Sequence, residues 1–187
     1  MSSSRARRSG AAHARTGKGA GWAPSPLGPW LLLMGTLLGL GACRSSGEPF
    51  SEEASRVLRS PDQLELLTLH PYPHESPPLD PEEDFHGYRV LGRARLVGAQ
   101  VQQDLLELIR EGVRRSDGTA AACFNPRHGV RAVRGDEAVE LVICYECLTL
   151  RVHGPGGARE GHTTSSAVEA GVERIFRGVG LRSHGRD

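Results

Sequence analysis

Residues 130–152, VRAVRGDEAVELVICYECLTLRV, decide the fold. Val130 to Arg134 and Ala138 to Val152 are dominated by apolar and β-branched side chains, and Gly135-Asp136 between them is a two-residue turn signal. The stretch therefore predicts a β-hairpin. Its second run carries apolar residues on both faces, as expected of a strand covered by other layers, where polar alternation is lost. If Arg134 faces Glu137 across the turn, antiparallel register sets Arg127 opposite Cys144 and Phe124 opposite Cys147. Pro126 should disturb that register locally, because it has no N–H to give to the ladder.

Working outward, Val101, Leu105, Leu108, Ile109 and Val113 recur at helical spacing, which predicts an amphipathic helix over Ala99 to Arg114. Its exposed face is expected to carry Gln102, Gln103, Glu107, Arg110 and Arg114. Ser166-Ala167-Val168-Glu169 matches a capping box, and Val168, Val172, Ile175, Phe176 and Val179 form the apolar stripe of a second helix. Phe85 to Leu96 alternates, with Tyr88, Val90, Ala94 and Leu96 on one face and arginines 89, 93 and 95 on the other. Leu64 to His70 reads as a further strand, and the five prolines between Pro71 and Glu83 read as a loop. Ser51 to Leu58 can form a helical turn with serine as N-cap, before Ser60-Pro61-Asp62 breaks it. The expected fold is α+β: a single two-layer domain with about four mainly antiparallel strands and two helices, in the order β-β-α-β-β-α.

The N-terminal segment has a different character. Arg5, Arg7, Arg8, Arg15 and Lys18 precede a short apolar run, Trp30 to Leu40, with no acid before Cys43. That run is nearer to the ~7–15 residues of a signal core than to the ~20 of a spanning helix. Leu40-Gly41-Ala42-Cys43 resembles the lipobox of bacterial lipoprotein precursors. The resemblance implies cleavage before Cys43, diacylglyceryl transfer to its thiol and acylation of the new amino terminus, which together give stable membrane anchoring. Arg44 is not the aspartate of inner-membrane retention, so the resemblance implies an envelope protein of the outer membrane, facing periplasm or surface. The organisation read from the chain is 1–42 signal peptide, 43–62 lipidated Cys43 and tether, 63–182 α+β domain and 183–187 tail.

Removing the five leader cations from the 23 of the whole chain leaves 18 against 22 acids. The mature domain is thus slightly acidic, and no nucleic-acid partner is expected. Lys18 is the sole lysine, so the mature chain has no residue for a Schiff base, a Ser-Lys dyad or a Walker lysine. Gly156 to Thr163 has Walker A spacing with His162 in the lysine's place, and it reads as a loop. No G-x-S-x-G or H-E-x-x-H occurs.

The residues with chemical potential lie between Cys123 and Cys147. The hairpin register brings Cys123, His128, Cys144 and Cys147 to one end of the ladder. For an exported domain the first expectation is a disulfide, with Cys123–Cys147 the preferred pair and Cys144 left buried. The alternatives are a Cys3His zinc site on Cys123, His128, Cys144 and Cys147, or a thiol-redox centre. Redox ranks last because a reactive C-x-x-C normally starts at a helix N-terminus, and this one lies in a strand. Residues three apart in a straight strand face opposite ways, so Cys144 and Cys147 can bond only across a bulge or turn. Arg127 can contact an anion, or it can clamp a carboxylate.

Cys123-Phe124-Asn125-Pro126-Arg127-His128-Gly129 followed by Val142-Ile143-Cys144-Tyr145-Glu146-Cys147 resembles a signature of uncharacterised exported bacterial proteins, C-F-x-P-R-H-G with V-I-C-[FY]-x-C. The resemblance implies a shared domain and no activity. With no complete catalytic motif, the function expected is a non-enzymatic binding or structural module, without a cofactor, anchored in the envelope by lipid.

Overall fold

The computed structural model describes residues 47–74, 80–183 and 185. The segment read as a signal peptide, Cys43 and Arg44 lie outside them. Among the described residues ten α-helices and β-strands follow one another: α1 (Glu52–Arg59), β1 (Gln63–Pro73), β2 (Asp84–Phe85), β3 (Tyr88–Arg95), α2 (Ala99–Arg114), β4 (His128–Arg134), β5 (Glu137–Cys144), β6 (Thr149–His153), β7 (Arg159–Thr163) and α3 (Glu169–Gly178). The strands form one antiparallel sheet in the order β2-β3-β1-β4-β5-β6-β7. The expectation of about four strands and two helices is therefore corrected: seven strands curl into a half-barrel with three helices.

Each added element has a physical reason. The run Ala138 to Val152 is two strands joined at Tyr145 to Leu148, a turn with no glycine, proline, asparagine or aspartate. A Cys144–Cys147 disulfide closes this turn, and Leu148 takes φ 54°, a conformation that costs a branched residue about 1–2 kcal/mol. Strand β7, Arg-Glu-Gly-His-Thr, has no apolar residue and pairs along one side only, at the sheet edge. Such a polar edge strand discourages pairing with other chains and gives no periodic signal.

Helix α1 is capped by Ser51, whose Oγ accepts from Ala54 N at 3.3 Å, and Glu52 and Glu53 favour its positive N-terminus. It falls in the span assigned to the tether, yet Phe50, Ala54, Val57 and Leu58 are buried in the main core. Arg110, expected on the exposed face of α2, is instead buried: it pairs with Glu48 at 3.2 Å and donates to the Leu58 carbonyl at 3.0 Å. It thereby satisfies the C-terminal end of α1. The stripe expected on α3 is present, with Val172 and Phe176 fully buried. Its cap lies one residue earlier than the capping box implied, because Ser165 caps a 3-10 turn, Ser166–Val168, that leads into the helix.

The 128–143 register agrees with the hairpin reading, from Arg134 opposite Glu137 to His128 opposite Ile143. On one face, Leu64, Leu66, Val130, Ala132, Leu141, Ile143, Leu150 and Val152 meet the helices. The other face carries a smaller cluster of Leu67, Leu69, Phe85, Tyr88 and Val142, with Val90 and Phe124 against it. Strand β3 takes part in both. Thr68 pairs with Gly92 and Leu69 with Val90, so Leu91 is an extra residue, a bulge that turns Tyr88 and Val90 to the second face. The strict alternation expected from Tyr88 to Leu96 is broken there. Gly129 is needed under this cluster, since a Cβ would lie 2.9 Å from Phe85 Cε1 and 3.2 Å from Leu67 Cβ.

Candidate functional site

The face of the sheet away from the helices carries the most concentrated chemistry. Cross-strand register puts Arg131 opposite Glu140, Glu140 opposite His153, and His153 opposite Arg159, one row across β4 to β7. The adjacent row is Gly129, Val142, Arg151 and Gly161. The tight turn between β2 and β3 holds His86 at φ 54° and swings its ring over the first row. His86 Nε2 lies 2.8 Å from Glu140 Oε2, and its ring stacks on His153 with centroids 3.5 Å apart and planes 14° from parallel. Arg131 Nε completes the pairing at 3.3 Å from Glu140 Oε1.

Electrostatics fixes the states of His153 and Glu140. Burial, with the charges of His86 and Arg159 adding to it, holds His153 down to about 4, so its ring is neutral near pH 7. The hydrogen bond from His86 holds the Glu140 carboxyl below the ordinary range against its partial burial. Glu140 is the carboxylate of the row, and His153 is the neutral plate under the His86 ring.

Next to this pair a cleft of about 220 Å³ is lined by Tyr88, Phe124, Val142, Arg151 and Arg159 with the two histidines. It adjoins a wider one of about 590 Å³ that reaches Arg131 and the Gly154 to Ala158 turn. The Arg151 guanidinium lies 3.7 Å over the Phe124 ring, a cation–π contact that fixes its position. Tyr88 Oη donates to the Phe124 carbonyl at 3.3 Å, holding that ring in the wall, and burial raises the phenol above its usual range. Among the described residues neither Arg151 nor Arg159 pairs with a carboxylate. An apolar floor beside two guanidinium groups that pair with no carboxylate among the described residues can take an anion with an apolar body.

The residues singled out from the sequence are only partly brought together. The disulfide joins Cys144 and Cys147, not Cys123 and Cys147, because the chain turns at residues 145–148 and closes their Cα atoms to 5.2 Å. Cys123 is a free, exposed thiol whose sulfur lies 3.6 Å from Cys147 Sγ. His128 does not join this cluster. As the partner of Ile143 it faces the helices, where its ring meets Phe176 edge-on at 4.9 Å, whereas Cys144 next along β5 points the other way. Among the described residues no group of three or more potential ligands could hold a metal ion, so the Cys3His constellation does not assemble. Arg127 clamps Glu146 at 2.6 Å.

His128 has partners that the sequence gave no reason to expect. Its Nε2 lies 2.8 Å from Glu173 Oε1 and 2.9 Å from Ser183 Oγ, and Ser183 Oγ also donates to Glu173 Oε1. A nucleophilic triad needs serine on one ring nitrogen and the acid on the other. Here both use the same nitrogen, and Ser183 and His128 are buried. The arrangement is a latch that pins the start of the expected tail to α3 and β4. The His128 hydrogen bond, outweighing burial and helped by Ser183, holds Glu173 down to about 2.

His86, Glu140, His153, Arg151 and Arg159 were missed as a site. The hairpin register alone pairs Arg131 with Glu140, but the others depend on the unrecognised turn at residues 145–148 and on β7. Comparison with known protein families, curated proteins and solved structures finds no match.

Proposed function

We propose that this chain is a lipid-anchored protein of the bacterial cell envelope whose domain binds a small anionic ligand bearing an apolar or aromatic group. The address rests on Leu40-Gly41-Ala42-Cys43 behind a basic leader and a short apolar core. The binding reading rests on one observation: Arg151 and Arg159 line a cleft with Phe124, Tyr88 and Val142, and neither pairs with a carboxylate among the described residues. Arg151 and Arg159 would hold the anionic group, and the floor would cover the apolar part. The His86–Glu140 pair closes one end and sets orientation. His153 adds a dependence on protons, because an anion beside a neutral imidazole favours its protonation, so binding takes up a proton. The outer membrane remains the proposed destination, from Arg44 after the cysteine.

The test is calorimetric titration of the full-length protein with benzoate and, in parallel, with benzylammonium, which has the same ring and the opposite charge. Benzoate should bind, more tightly as pH falls from 7 to 5, and benzylammonium should not. Equal binding of the two, or none of benzoate, contradicts the reading.

A further inference from the structure

The three cysteines form an arrangement that the binding cleft does not use. Cys144 and Cys147 are buried in their disulfide, at 1% and 0% exposure, so a reductant in solution has no direct access to either sulfur. Cys123 is exposed and free, and its sulfur stands 3.6 Å from Cys147 Sγ. Its loop is tied to Cys147 on both sides: Ala121 N donates to the Cys147 carbonyl at 3.0 Å, and Asn125 N donates to Cys147 Sγ at 3.2 Å. The far sulfur is also prepared, since Cys147 N donates to Cys144 Sγ at 3.1 Å. A backbone N–H on that sulfur favours it as a thiolate, and thiolates of lowered pKa leave fastest in exchange.

We propose that Cys123, Cys147 and Cys144 form a thiol–disulfide exchange centre through which a buried disulfide communicates with small thiols at the surface. Cys123 loses its proton to solvent, and its thiolate attacks Cys147 Sγ. The Sγ123–Sγ147 bond forms, the Sγ147–Sγ144 bond breaks, and the electron pair departs on Cys144, which takes a proton from solvent. No net oxidation occurs in this step. The exchanged isomer has one sulfur, that of Cys123, at the surface. A small thiol then attacks Cys123 Sγ, giving a mixed disulfide there and releasing Cys147 as a thiol. A second thiol molecule frees Cys123 and carries both oxidising equivalents away as a small disulfide. The reverse sequence oxidises the buried pair. The substrate class is thus a low-molecular-weight thiol or its disulfide, and the centre stands independently of the anion cleft.

The experiment uses full-length protein purified without reductant and exposed to reduced glutathione, with acid quench, alkylation and tryptic peptide mapping over time. Cleavage after Arg127 and Arg134 separates Cys123 from the peptide holding Cys144 and Cys147, so the 144–147 bond is internal to one peptide and the 123–147 bond links two. Glutathione should appear on Cys123, and Cys123→Ser should slow reduction of the buried disulfide at least about tenfold while leaving the circular dichroism spectrum unchanged. With oxidised glutathione in place of reduced, Cys144→Ser should form the 123–147 bond, the electrons leaving on two glutathione thiols. Reduction of Cys123→Ser at the wild-type rate, or two free thiols in Cys144→Ser, overturns the proposal.

Discussion

Truncating Phe176 to alanine tests where the main core sits. The side chain is fully buried on α3, with its ring edge-on to His128 at 4.9 Å and Val172 one turn earlier on the same stripe. Removing an aromatic ring from such a position costs about 3–5 kcal/mol, the lost transfer energy plus a cavity that the rigid sheet beneath cannot close. With an unfolding entropy of about 2.1 cal/mol/K per residue over roughly 130 ordered residues, a loss of ~4 kcal/mol lowers Tm by roughly 15 °C. Arg177, the next residue, is exposed, and Arg177→Ala should stay within about 0.5 kcal/mol, under roughly 2 °C. Thermal melting of the full chain followed by circular dichroism at 222 nm reads both (the wavelength being about that of the helical minimum). Equal shifts for the two variants would refute the assignment of α3's buried face and, with it, the packing that places His128 beneath the helix.

Gly129→Ala should cost about 1–3 kcal/mol, since its Cβ meets Phe85 and Leu67, and denaturant unfolding checks this; a neutral effect would mean that Phe85 does not lie over β4. Acid should destabilise the domain in two windows. His153, at about 4 folded against 6.5 unfolded, takes up its proton first in the unfolded chain, so stability falls as pH drops from 6.5 to about 4. Glu173, at about 2 against 4.5, contributes stability above 4.5 that is lost as pH falls towards 2. Each window is worth about 2 kcal/mol after solvent screening, and His153→Gln and Glu173→Gln should flatten the upper and lower limbs respectively; unchanged slopes in both would contradict the electrostatics given above. Cys43→Ser should abolish metabolic labelling by fatty acid and detergent partitioning, and a mature terminus other than Cys43 by intact mass would remove the lipoprotein assignment.

Much of the scaffold is legible in the sequence because its elements advertise themselves locally. Helix α2 has the bounds that its periodicity gives, the buried stripe of α3 is the predicted one, and the Gly135-Asp136 turn sets a register that holds to His128 and Ile143. What escaped lacks a local signal. The turn at residues 145–148 is made by a disulfide and a left-handed Leu148 where turn-forming residues would normally announce it. Strand β7 is polar, and the extra Leu91 flips Tyr88 to a face that its spacing does not suggest. These omissions account for both errors of the site. Without the turn, Cys144 and Cys147 look like opposite-facing strand residues and the bridge is assigned to Cys123. Without β6 and β7, His153, Arg151 and Arg159 have no reason to meet His86 and Glu140. Arg110 and His128 show the same limit from inside the core, since whether a polar residue is buried depends on partners distant in sequence, Glu48 for one and Glu173 with Ser183 for the other.

Heteronuclear NMR of the full-length protein titrated with benzoate measures binding in the cleft lined by Arg151 and Arg159. The predicted result is saturable shifts confined to the backbone amides of Phe124, Val142, Arg151, His153 and Gly161 and to the His153 ring, with the set abolished in Arg151→Ala at unchanged melting temperature. Shifts that fail to saturate, that fall on other surfaces, or that persist in Arg151→Ala would contradict it.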